Sequence, residues 1–266
     1  MTHRQHVLLT NDDGVDAVGI RALYQMLAQT CDVTVVAPST DQSSVGRQLT
    51  WDLEVNQHEW GYEVDGTPAD CVVAGVELLC PDVDAVVAGC NKGANLGAYV
   101  LGRSGTVSAA VEAAFFGVPA MAVSMYVPGG GETPWQEQAV DPGVFVEATN
   151  AARYLLEAPL GDLVSAGGYL NINAPIATEP GRPTASIEVT EPSTWYAMTA
   201  RAGDAGAIRL YDAVWEQMRT GDIPDGRGTD RHAVMQGRVS VSPLTAPHTP
   251  TGSDRLAPII DGYDPS

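Results

Sequence analysis

The sequence predicts an α/β protein, built on a doubly wound, mostly parallel sheet with an extended C-terminal arm of strands and short helices. Two observations carry this. Short, buried-type apolar runs rich in β-branched residues alternate with stretches whose apolar residues recur at three and four, the order of strands and crossover helices. Beyond Pro175 that alternation gives way to proline, glycine, threonine and charged residues.

The run His6 to Thr10 reads as a buried strand stopped by the turn Asn11-Asp12-Asp13-Gly14. Ile20, Leu23, Tyr24 and Leu27 form one apolar stripe, so a helix is expected from about Gly19 to Gln29. Val33 to Ala37 is a second strand, halted by Pro38. A β-α-β unit of this kind crosses over right-handed and places both strands in one parallel sheet. Leu49 to Val55 and Tyr62 to Val64 read as a hairpin outside that pattern. Thr67-Pro68-Ala69-Asp70 offers a cap, a proline at the first helical position and an acid at the third, predicting a helix from Pro68 to about Leu79. Asp84 to Ala88 is the next strand and empties into a glycine-rich loop, Gly89 to Gly105. Thr106 to Phe116 follows as helix and Ala120 to Ser124 as strand.

Pro128-Gly129-Gly130-Gly131 is a loop, Pro142 to Glu157 a helix, and Tyr169 to Ile172 the strand expected to close the sheet. Further strands are expected at Ala185 to Val189 and Val239 to Ser242, with a short helix near Tyr211 to Met218. This organises the chain as a catalytic core over residues 1–175 and an arm over 176–266, packed on the core or on another subunit.

Composition narrows the functional classes. The 266 residues carry 33 acidic and 14 basic side chains, a formal net charge of -19. Duplex nucleic acid is not an expected partner, because phosphate binding relies on clustered lysine and arginine. Lys92 is the only lysine, and aspartate outnumbers glutamate, a surface suited to high salt, where dense carboxylates stay hydrated and their repulsion is screened. No apolar run reaches the ~18 residues of a membrane helix. The polar start Met1 to Gln5 has no signal-peptide pattern, so a cytoplasmic location is the expectation. Cys31, Cys71, Cys80 and Cys90 form no C-x-x-C pair, and His3, His6, His58, His232 and His248 are scattered. Free thiols and no cysteine- or histidine-based metal site follow.

The chemistry is expected at the carboxyl ends of the strands, where open α/β sheets bind ligands. Three polar segments fall there: Asn11 to Gly14, Ser39 to Gly46, and Gly89 to Gly97. At a strand end followed by glycine, Asp12 and Asp13 can converge, and two such charges need a cation. Hard oxygen ligands suit Mg²⁺ or Mn²⁺, and Ser43 and Asn91 could complete the shell with waters. The alternative is that the two aspartates form an Asx turn or cap the next helix. Arg103-Ser104-Gly105-Thr106 precedes an apolar helix, whose N-terminus would hold a phosphate; equally, Ser104 or Thr106 could be an ordinary cap. The loop has neither G-x-G-x-x-G nor a Walker lysine, so no dinucleotide or P-loop enzyme is indicated. An anion pocket facing a carboxylate-held divalent cation suits phosphomonoester hydrolysis, in which the metal polarises a phosphoryl oxygen and activates water.

These residues resemble the SurE survival-protein family of 5'/3'-nucleotidases. The matching text is VLLTNDDGVDAVGIRAL from Val7, VVAPSTDQSSVG from Val35, DGTPADCV from Asp65, VVAGCNKGANLG from Val86, RSGTVSAAVEAAFFGVPAMAVS from Arg103 and LNINAP from Leu170, with a weaker match at Gly228 to Leu244. The resemblance implies a Rossmann-like core, one divalent metal per subunit, and phosphate release from nucleoside monophosphates. It places metal ligands on Asp12, Asp13, Ser43 and Asn91, and phosphate contacts on Asn95, Ser104, Gly105 and Thr106, with one of the two aspartates assisting the attacking water. It also implies a homodimer or homotetramer formed through exchanged C-terminal elements. The chain departs from the family at Arg103, where a tyrosine is usual, at Asp16, at Val18, and at Met235-Gln236. Two rivals stand beside this reading: a broader phosphatase or short-chain polyphosphatase, and a non-catalytic nucleotide- or metal-binding regulator.

Overall fold

The structure is a computed structural model that describes residues 4–129 and 138–246. His3, His248, Gly130, Gly131 and residues 247–266 of the arm lie outside the described residues.

Five parallel strands form the centre: β1 (His6–Thr10), β2 (Asp32–Pro38), β5 (Ala85–Lys92), β6 (Ala120–Tyr126) and β7 (Gly168–Pro175). With β3 (Val55–His58), β4 (Gly61–Val64), β8 (Ile187–Val189) and β11 (Val239–Thr245) they make a nine-stranded sheet ordered β3-β4-β2-β1-β5-β6-β7-β11-β8. The order reverses between β1 and β5, the switch point at which such sheets bind ligands. The mostly parallel α/β architecture is the one read from sequence.

Helices cover both faces. On one, α1 (Val18–Leu27) packs Ile20, Leu23 and Leu27 with Ala148, Ala151 and Ala152 of α5 (Val146–Leu155) over Val7, Leu9 and Val87. On the other, α2 (Pro68–Ala74) and α4 (Gly105–Phe115) pack Cys71, Val72, Val107, Ala110 and Val111 over Leu8, Val36, Val86 and Ala122. Two further short helices are α3 (Ala98–Leu101) and α6 (Leu160–Leu163). The capping box at Thr67 and Asp70 forms as predicted: the Thr67 hydroxyl accepts from Asp70 N at 3.2 Å and Asp70 Oδ2 accepts from Thr67 N at 2.8 Å.

Differences from the expected elements have physical causes. Residues 49–54 are not strand; Leu49 and Trp51 are exposed, so nothing pairs or covers them. The helix from Pro68 widens at Gly75 into a π-helical turn to Leu79; a Cβ at Gly75 would come within 2.1 Å of the buried Leu8 Cδ1, so a larger residue there would force Leu8 to repack. The sheet does not close at β7, because β11 adds antiparallel to it and β8 then pairs parallel with β11. Where a helix was expected from Tyr211, β9 (Met198–Ala202) and β10 (Ile208–Asp212) form a separate hairpin, and α7 (Val214–Thr220) starts only afterwards. A last helix, α8 (Asp230–Met235), leads into β11. Among the described residues no helix is long and apolar enough to cross a membrane, and all four cysteines are buried and free.

Candidate active site

The loops after β1, β2 and β5 meet at the carboxyl edge of the sheet. They enclose a cleft of about 330 Å³ lined by Asp12, Asp13, Asp41, Ser43, Ser44, Asn91, Lys92, Asn95, Val100, Arg103 and Ser104. All four residues expected to hold a metal are among them, with two of the four expected at a phosphate.

Local geometry aims the carboxylates. Gly14 adopts φ +99°, which a side chain would strain, and the Asn11 amide donates to Gly14 O at 2.8 Å, so the chain turns sharply after β1. The aspartates do not cap α1, whose N-terminal flank is Ala17 without a side-chain cap. Asp12 is buried against the start of α4, where Thr106 donates its hydroxyl to Oδ1 at 2.5 Å and its backbone N–H to Oδ2 at 3.2 Å. A Cβ at Gly105 would lie 2.8 Å from the Asp12 Cβ and 2.9 Å from Oδ2, so a glycine is required there. Asp13 Oδ2 accepts the Lys92 backbone N–H at 3.0 Å, tying β1 to β5.

Asn91 reaches the cleft through an irregularity in β5: the register with β6 shifts between Ala88 and Asn91, which re-aims the strand end. Its amide nitrogen donates to Gly93 O at 2.7 Å, leaving the oxygen as the end suited to a cation. Asn95 is fixed from several sides. Its backbone N–H donates to Asn173 Oδ1 at 2.7 Å, its side chain donates to Ser124 Oγ at 2.9 Å, and its carbonyl accepts from Asn171 and Asn173. Ser104 lines the cleft and also caps α4, accepting from Val107 N at 3.1 Å. Gly105 and Thr106 pack against Asp12, and the helix dipole there faces that carboxylate.

Sequence reasoning missed Asp41, Ser44 and Lys92 as cleft residues, although all three lie in segments it had singled out. Asp41 Oδ1 accepts Ser43 N at 2.7 Å and shapes the β2 loop. Arg103 lines the mouth of the cleft and is exposed to solvent there. Its guanidinium stacks 4.0 Å over Tyr99, which in turn stacks on Tyr196, and its Nη1 donates to Tyr99 O at 2.6 Å. It is held at the rim.

Burial pushes the Asp12 carboxyl up to about 6; the Thr106 hydroxyl opposes that and the charge of Asp13 adds to it. Burial also raises Asp13, with Lys92 opposing and Asp41 adding. A cation placed between the two carboxylates would favour the ionised form of both. No cluster of three or more His, Cys, Asp and Glu able to hold a metal occurs among the described residues. A cation here would therefore rest on two carboxylates and the neutral oxygens of Ser43 and Asn91, an all-oxygen set that fits a hard divalent ion keeping several waters.

Comparison with known proteins gives one consistent result. The family described as "Survival protein SurE" matches residues 7–199. The chain is similar to the 5'-nucleotidase SurE of Haloquadratum walsbyi, at 60% identity covering 99% of this chain and 98% of that one. It is similar also to the 5'-nucleotidase SurE of Natronomonas pharaonis, at 58% identity covering 97% and 99%. Among solved structures, the SurE protein from Aquifex aeolicus superposes with a TM-score of 0.74 at 30% identity, covering 96% of this chain and 98% of that chain.

Proposed function

This chain belongs to the SurE family, and we propose on that premise that it is a 5'-nucleotidase, a phosphomonoesterase that hydrolyses nucleoside 5'-monophosphates to nucleoside and phosphate. The observation that carries the reading is the convergence of Asp12, Asp13, Ser43, Asn91, Asn95 and Ser104 on one cleft at the sheet's switch point.

In this reading Asp12, Asp13, Ser43 and Asn91 hold one Mg²⁺ or Mn²⁺ per subunit. When bound, the ion polarises a phosphoryl oxygen and offsets the charge of the departing phosphate. The protein supplies the geometry. Thr106 occupies both oxygens of Asp12 and fixes the orientation of that carboxylate. Among the described residues Asp13 accepts a hydrogen bond through Oδ2, so its Oδ1 is the better placed to take the proton of an attacking water. Asn95 and Ser104 of the same cleft contact the phosphate, and Lys92 and Arg103 in its lining add positive charge that favours the transition state.

Finer points belong to the same proposal. Nucleoside 3'-monophosphates are also substrates, and the protein works in the cytoplasm at high salt, supported by the net charge of -19 and the single lysine. The chain assembles as a dimer or tetramer through residues after Pro175, supported by the β9–β10 hairpin, where Ile208 and Leu210 are 74% and 71% exposed.

The test is phosphate release from nucleoside 5'- and 3'-monophosphates and short polyphosphates in high KCl, with Mg²⁺, with Mn²⁺ and with chelator. Metal-dependent release from 5'-monophosphates is expected. Full activity in chelator would remove the metal from the mechanism, and binding without release in a folded sample would replace the enzyme with a regulator.

A further inference from the structure

A second cavity, of about 410 Å³, has Gly93, Ala94, Tyr126, Trp215, Glu216 and Arg219 in its lining. We propose that it is the subsite for the nucleobase, with Trp215 and Tyr126 supplying the apolar aromatic surface; this rests on the nucleotidase reading above.

Position argues first. One stretch of chain serves both cavities: Asn91, Lys92 and Asn95 face the phosphate cleft, while Gly93 and Ala94 between them line the second cavity. Gly93 and Ala94 stand within two Cα steps, at most about 8 Å, of Lys92 and Asn95, so the linings of the two spaces are neighbours along one short segment. Gly93 has no side chain to crowd the boundary between them, and a Cβ there would find nothing nearer than Asn91 at 3.7 Å.

Composition argues second. The lining is mainly apolar, and base-binding sites use aromatic faces because every base presents a π-face to them. Trp215 is not needed for the core. The buried anchors of α7 are Val214 and Met218, which pack with Ala94, Leu96 and Val234, while Trp215 remains 37% exposed beside the cavity. Asp212 Oδ1 accepts Val214 N at 3.0 Å and fixes the start of the helix. At the rim, Arg219 donates through Nε to Glu216 Oε2 at 3.2 Å, giving a polar edge beside the apolar slot. The volume suits a small organic ligand.

The experiment compares Trp215→Ala and Trp215→Leu with the unaltered protein on adenosine 5'-monophosphate, uridine 5'-monophosphate and ribose 5-phosphate. The expected result is a rise in KM for both nucleotides on the order of ten- to a hundredfold with kcat preserved, and unchanged kinetics on ribose 5-phosphate. Equal losses on all three substrates, or no change on any, would overturn the proposal. Equilibrium dialysis of adenosine 5'-monophosphate with each folded variant provides the same comparison without turnover. If the unaltered protein binds the nucleotide without hydrolysing it and Trp215→Ala weakens binding, the nucleotidase reading fails and the subsite stands. If binding survives the substitution, the subsite fails.

Discussion

Arg231 fills the space that a side chain at Gly97 would need: a Cβ there would fall 2.1 Å from the guanidinium Nη2. The neighbouring Asp230 completes the contact, accepting Gly97 N through Oδ2 at 2.6 Å and Ser193 N through Oδ1 at 3.0 Å. Arg231 itself donates to Trp195 O at 2.8 Å and to Leu96 O at 3.3 Å. The segment that carries Asn95 is thus braced from behind by the start of α8, two residues remote in sequence from every motif of the cleft.

Removing that brace should cost much of the fold's stability. Arg231 and Asp225, 3.6 Å apart, are each 1% exposed, so Arg231→Met leaves a buried carboxylate without its counter-charge. A loss of about 3–5 kcal/mol is expected, measured by denaturant unfolding. A loss under 1 kcal/mol would show that the cluster is not held by this charge.

Gly105→Ala tests the contact between α4 and Asp12. The added methyl would lie 2.9 Å from Oδ2, so the carboxylate must move. Turnover should fall by at least tenfold and the melting temperature should fall with it, because the methyl also meets the Asp12 Cβ at 2.8 Å, which can yield only if the backbone moves.

Asp12→Asn removes one charge and keeps the shape. Phosphate release should fall by a factor on the order of a hundred or more, with a folded, stable protein. Activity within a factor of two of the unaltered chain would exclude Asp12 from the chemistry.

The raised carboxyl of Asp12 predicts how metal-free stability changes with acidity. Between the ordinary value of 3.8 and about 6, the folded chain keeps a proton at Asp12 that the unfolded chain has lost. Stability from this group is therefore highest on the acid side and declines as pH rises through that window. Thermal melts in chelator should show this slope for the unaltered protein and a flatter one for Asp12→Asn. Divalent cation should offset this loss at the neutral end of the window, because it binds the ionised form.

With a net charge of -19, self-repulsion is strong in dilute buffer. The melting temperature should climb steeply from low salt to molar KCl, and a flat profile would remove the high-salt reading.

The core was legible because its signals are local. The stripe Ile20, Leu23, Leu27 and the run Ala85 to Ala88 describe burial that the chain itself prescribes, and both are fully buried. That Asp12, Ser43 and Asn91 would meet in one cleft was legible because they stand at or just beyond the ends of parallel strands, and such ends converge. The hairpin β9–β10 was not, since its strands are short, largely exposed and bury no face against the core, so the alternation in MTARA and IRLYD marks no buried side. Arg231 could not be found either: an arginine reads as surface, and its burial comes only from the meeting of α8 with a loop more than a hundred residues earlier.

Lys92 is the chain's only lysine, and it stands at the cleft. An amine-selective acylating reagent thus has a single side-chain target in the whole molecule, besides the amino terminus. The extent of that one modification, read by mass, would report directly on whether the cleft is filled, turning an adaptation of the surface into a built-in occupancy gauge.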